Sequence, residues 1–148
     1  MSWIEPIFDR TQSDVAYAKA HRDSVLPLKG ARNHTDLLRI TGNIYFLREY
    51  FVGFGHIVPA MICKTAWALG EVPPQSEIEK IRADLDTLKA VVSLIQTPAT
   101  PVLPYNHFQK INSVERILWD IEHVLNTIEK EWWITGEPAA VTSGDDWI

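Results

Sequence analysis

Ile111-Asn112-Ser113-Val114-Glu115-Arg116-Ile117-Leu118-Trp119-Asp120-Ile121-Glu122-His123-Val124-Leu125 decides how the chain is read. Ile111, Val114, Leu118, Ile121 and Leu125 step by three and four, and Ile128 continues the run. That spacing places one apolar seam along one face of an α-helix. The same ladder occurs twice upstream: Leu37, Ile40, Ile44, Leu47, Phe51, and then Ile78, Ile81, Leu85, Leu88, Val92. Side chains so placed need other helices to cover them. The expected fold is therefore all-α, with three main amphipathic helices packed as a bundle in a single domain over residues 1–148.

Proline sets the boundaries. Inside a helix it removes a hydrogen bond and clashes with the preceding turn, at about 3 kcal/mol. The long proline-free windows are 33–52, 75–95 and 105–131. Asn33 or Thr35, the Ser76/Glu79 box and Asn106 are the expected N-terminal caps. Thr11 with Asp14 predicts a short helix that ends before Pro27. Asp36-Leu37-Leu38-Arg39-Ile40 superposes on Glu77-Ile78-Glu79-Lys80-Ile81, and Asn43-Ile44 on Asp84-Leu85. This weak repeat fits either duplication or a shared need to face a core. Residues 53–74 are rich in Gly and Pro, and Ile57 to Trp67 has extended character that allows a small β-hairpin. Residues 97–105 should run as polyproline II or irregular chain. The tail 134–148 is expected to be loosely ordered or to form a small hairpin.

Composition narrows function. The chain has 148 residues, a net charge of −5 and no dense Lys/Arg cluster. That argues against nucleic-acid binding, which needs a basic face. The longest apolar stretch, Ile57 to Cys63, is interrupted by Pro59 and is too short to span a bilayer, so no membrane insertion is expected. The N-terminus lacks the pattern of a signal peptide, so a protein made and kept in the cytoplasm is expected, unless it leaves as part of a particle.

Motifs for catalysis and metal binding are missing from the sequence. No two of His21, His34, His56, His107 and His123 are spaced to share a helix face as metal ligands. Glu115, Glu122 and His123 lack the matching Glu-x-x-His elements of a di-iron bundle. No Gly-x-Ser-x-Gly elbow is present, and Gly53-Phe54-Gly55 lacks the rest of a phosphate-binding loop. Cys63 reads as a quiet, partly buried thiol. No catalytic residue, metal or cofactor is expected.

Tryptophan is the unusual feature, with six residues. Trp119 flanks the third ladder and reads as packing. Trp132, Trp133, Trp147 and Trp67 read as partner contacts, because indole combines a large apolar area with one donor. Tyr45, Phe46 and Tyr50 make the first long helix apolar on several faces, as a central helix would be.

The order of several motifs resembles that of small uncharacterised proteins encoded by prophages of Gram-positive bacteria. The matching residues are Trp3-Ile4-Glu5-Pro6, Asp9-Arg10-Thr11-Gln12 with Asp14-Val15, Lys29-Gly30-Ala31, and Thr35-Asp36-Leu37 with Arg39-Ile40, Asn43-Ile44 and Leu47. Lys64-Thr65 with Trp67, the turn from Pro73 to Glu77, Asn112 with Val114-Glu115, Ile117-Leu118 and Asp120-Ile121, and Ile134-Thr135-Gly136-Glu137 follow. Many relatives carry a longer segment before Lys-Gly-Ala, so no role of that segment carries over. The resemblance implies a virion-associated or assembly role among tail and baseplate proteins, with assembly in the bacterial cytoplasm and partners from the tail or from self-association. It implies no catalytic residue. The alternative is a module that binds host-surface glycan through exposed tryptophans.

Overall fold

Thr11 accepts a hydrogen bond from the Asp14 amide, and the Asp14 carboxylate accepts from the Thr11 amide, which starts the first helix. In the computed structural model, which describes residues 2–24, 26–92 and 96–131, four helices follow in order. They are α1 (Gln12–Ala20), α2 (His34–Gly53), α3 (Gln75–Val91) and α4 (Phe108–Glu131). The fold is an all-helical bundle in which α2, α3 and α4 pack on one another.

The helix starts refine the sequence reading. Asn33, not Thr35, caps α2, in a box with Asp36. α3 starts one residue before Ser76, with Pro74 at the cap position and no side-chain cap. Proline suits such a start because the first amides of a helix have no internal partner. At α4 the Gln109 amide donates to His107 Nδ1, so His107 takes the place expected for Asn106. Residues 54–74 contain no strand, so no hairpin forms there. The expected tail hairpin at 134–148 lies outside the described residues.

The three long helices run parallel. Arg39 near the start of α2 binds Glu115 near the start of α4, and Tyr50 near the end of α2 binds Glu129 near the end of α4. Leu37 and Ile40 of α2 share a cleft with Ile78 of α3 and Ile111 of α4. Farther along, Tyr45 and Asp84 both bind the backbone at Cys63. Each linker must then travel back the full length of a helix before the next one starts. Residues 54–74 do so along α2, where Val58 meets Arg48 and Cys63 meets Tyr45. Residues 96–107 return along α3, where Pro98 meets Lys89 and Thr100 meets Asp86.

Parallel packing gives the ladders matched burial. Ile40, Ile81 and Val114 are buried at one rung, Ile44, Leu85 and Leu118 at the next, and Leu47, Leu88 and Ile121 at the third. Phe51 and Leu125 extend the core toward the helix ends, while Val58, Met61, Cys63 and Trp67 of the first linker close it.

An extended segment has backbone donors and acceptors that must find partners. Here the helices supply them from side chains. The Asn43 amide accepts from Ile4 N at 3.0 Å and donates to Ile4 O at 2.7 Å. Asn112 does the same for Arg10, at 3.2 and 3.0 Å. The buried Asp84 carboxylate accepts from the amides of Ile62 and Cys63. The residues preceding α1 thereby lie across α2 and α4, as the first linker lies against α2 and α3.

Candidate functional site

Arg10 ends the N-terminal extended segment and points inward. Its guanidinium donates to Glu115 Oε2 at 2.8 Å, to Asp36 Oδ1 at 3.2 Å and to Ile7 O at 2.6 Å. Arg39 grips the same Glu115 with two nitrogens, at 2.6 and 2.8 Å, and reaches Asp36 at 2.7 Å. The Ile7 amide donates to Glu115 Oε1 at 3.1 Å. Glu115 is 0% exposed, so a lone charge there would be prohibitive. Two arginines against two carboxylates balance the cluster, and the donors fill both carboxylate oxygens. Burial works against the charge on Arg39, but Glu115 and Asp36 more than offset it and hold its pKa above the ordinary value.

Gly30 explains the Lys29-Gly30-Ala31 motif. A Cβ at Gly30 would sit 2.1 Å from Asp14 O, so only glycine lets this loop approach the first turn of α1. Lys29 Nζ lies 3.0 Å from Asp9 and 3.8 Å from Asp14. The hydrogen bond from Lys29 lowers the pKa of Asp9.

Beyond this lock, α1 and its following loop stand over the starts of α2, α3 and α4, enclosing a cleft of about 800 Å³. Its floor includes Val15, Leu37, Ile40, Ile78, Phe108 and Ile111. Lys19, Arg22 and Arg32 line its rim. All three are exposed, and no carboxylate among the described residues lies within ion-pair distance of them. The carboxylates that do reach the cleft, Asp36 and Glu71, are already paired with arginines and Lys64. Val72 lines the cleft at 83% exposure, and Leu69, at 85%, adjoins Gly70 on its wall.

The structure sorts the tryptophans. Trp67, expected as a partner contact, is 6% exposed and belongs to the core. Its indole N–H donates to Lys64 O and Lys64 Nζ lies over its ring, so burial removes it from the contact surface. Trp119 is half-buried on α4, stacked on His123 at 3.6 Å and edge-on to Phe8, with Arg116 over its ring. Trp132, Trp133 and Trp147 lie outside the described residues.

Cys63 is buried, and burial together with Asp84 pushes its thiol pKa well up, which keeps it protonated and unreactive. Among the described residues, no three His, Cys, Asp or Glu side chains gather as a metal site. No described helix is long and apolar enough to cross a membrane.

Sequence reasoning missed the Arg10–Glu115–Arg39 cluster and the cleft. A signal for the first was present: Arg39 and Glu115 each adjoin a ladder residue, Ile40 and Val114, and carry opposite charges. No comparable signal marks the cleft, which is assembled from four separate parts of the chain. No family model matches the chain, and no curated protein or solved structure does either.

Proposed function

We propose that the chain is a non-catalytic structural and protein-interaction domain of a phage or prophage tail or baseplate, assembled in the bacterial cytoplasm and carried on the virion. One observation carries the reading. The charged cluster of Arg10, Asp36, Arg39 and Glu115 is spent on holding the fold together, while an open cleft with an apolar floor carries the exposed Val72 in its lining and Leu69 beside it in sequence. A catalytic centre needs the opposite, with perturbed polar groups facing a cavity free to act. The motif residues behind the prophage resemblance agree with this. Arg10, Asp14, Lys29, Gly30, Asp36, Arg39, Asn43, Asn112 and Glu115 all serve in the lock or its approaches. What the resemblance shares is a framework, as a family of assembly proteins would require.

The test is to induce a lysogen carrying a tagged copy and sediment the tail particles. The tagged chain should travel with tail and baseplate proteins. A chain that stays at the top of the gradient would sink the reading. Retention on wall polysaccharide in the absence of tail proteins would instead favour glycan recognition through Trp132, Trp133 or Trp147.

A further inference from the structure

We infer that the cleft at the head of the bundle is the docking site for the segment Gly144-Asp145-Asp146-Trp147-Ile148 of a second copy of the chain. The inference rests on the interaction-domain reading and names its partner.

The cleft defines the chemistry of its occupant. Its rim holds Lys19, Arg22 and Arg32 without carboxylate partners among the described residues, and its floor is apolar. The occupant must bring carboxylates and a sizeable apolar group together. A small inorganic anion would leave the floor and the exposed Leu69 and Val72 uncovered. Nucleic acid would meet three cations on a chain of net charge −5, which is too little to release a row of counterions.

The chain itself carries the complement. Asp145-Asp146 is the sequence's one pair of adjacent carboxylates, and Trp147 and Ile148 follow directly. Two negative charges meet the arginines of the rim, and an indole with a branched aliphatic group suits the floor. Exchange between copies, rather than return of the segment to its own cleft, is the arrangement that the interaction-domain reading calls for. The cleft lies where α4 starts, and α4 runs away from it for 24 residues, roughly 36 Å at helical rise. The bundle thus has a cleft at its head, and the acidic segment comes after the foot in sequence. Joining the segment of one copy to the cleft of the next is a heterologous contact.

Sedimentation velocity of the full chain over a concentration series tests this. Two variants are made: Arg22→Glu with Arg32→Glu, and Asp145→Asn with Asp146→Asn and Trp147→Ala. Circular dichroism confirms that each folds. The wild type should gain mass with concentration, less so in high salt. Each variant alone should associate at least tenfold more weakly. An equimolar mixture should form a one-to-one dimer and stop there, because only one intact cleft meets one intact segment. A wild type that is monomeric at every concentration, association unchanged in either variant, or a mixture that stays monomeric would overturn the inference. A monomeric chain that still sediments with tails would do so while leaving the interaction-domain reading intact.

Discussion

Glu115 is the residue on which the most depends. It is fully buried, and both arginines of the lock converge on it. Removing its charge leaves Arg10 and Arg39 with Asp36 as their remaining carboxylate. Breaking such a buried pair costs about 3–5 kcal/mol. Glu115→Gln should therefore lower the urea midpoint by an equivalent amount; a midpoint within experimental error of wild type would contradict the geometry. Glycine offers a matched contrast at two sites. Gly30→Ala forces a methyl against the α1 backbone, and overpacking of this kind costs about 1–3 kcal/mol. Gly53→Ala meets nothing within 4 Å at the end of α2, so it should be neutral or gain up to about 1 kcal/mol. Thermal melts of the pair distinguish close approach from general intolerance of alanine.

At the scale of elements, the repeat read from sequence acquires physical content. Asn43 and Asp84 superpose in that repeat, and both do one job: a polar side chain on a helix binds the backbone of an extended segment crossing it. Asn43→Ala should release the stretch around Ile4 while leaving the core and the Arg10 anchor intact. Limited proteolysis should then cut near Ile4 faster than in wild type, with far-ultraviolet dichroism unchanged; equal cutting would show that the Trp3–Phe46 contact and the Ile7 and Arg10 bonds hold the segment without Asn43. The ladders made the long helices legible, because burial on one face imposes a period that neighbouring residues cannot mask. The paths of the N-terminal segment and the first linker were not legible. Their backbone is satisfied by Asn43, Asp84, Tyr45 and Arg48, and nothing in an Asn or an Arg marks it in advance as a backbone partner rather than a solvated residue. Trp67 was misread for a similar reason: its place in a Gly- and Pro-rich linker suggested exposure, but that linker forms a wall of the core.

Across the whole molecule, two tyrosines bear on stability at alkaline pH, Tyr50 between α2 and α4 and Tyr105 in the linker that leads into α4. Burial, reinforced by Glu129 and Glu122, pushes Tyr50 up to about 12. Burial also pushes Tyr105 up to about 12; Arg82 opposes the shift, and Asp86 and Glu79 add to it. The folded state holds both phenolic protons more tightly than the unfolded chain does. Their contribution is complete below about pH 10, the ordinary tyrosine value, and is lost as pH rises toward 12. Phenolate absorbance of the native chain should lag that of the urea-unfolded chain over this range, with unfolding becoming easier in step.

The parallel course of α2, α3 and α4 also sets how fast this architecture can assemble. In a bundle built from helical hairpins, partners lie close in sequence. Here Arg39 meets Glu115 across 76 residues, Tyr50 meets Glu129 across 79, and Ile7 meets Glu115 across 108. Each helix can nucleate alone, but none finds its partners until the intervening chain has wrapped back. Loop closure comes before the contacts that reward it. Stopped-flow refolding should thus fall in the millisecond-to-second range of non-local topologies, slower than the microsecond-to-millisecond range of ordinary helical bundles. An all-helical protein would then fold with the kinetics of a β-sandwich.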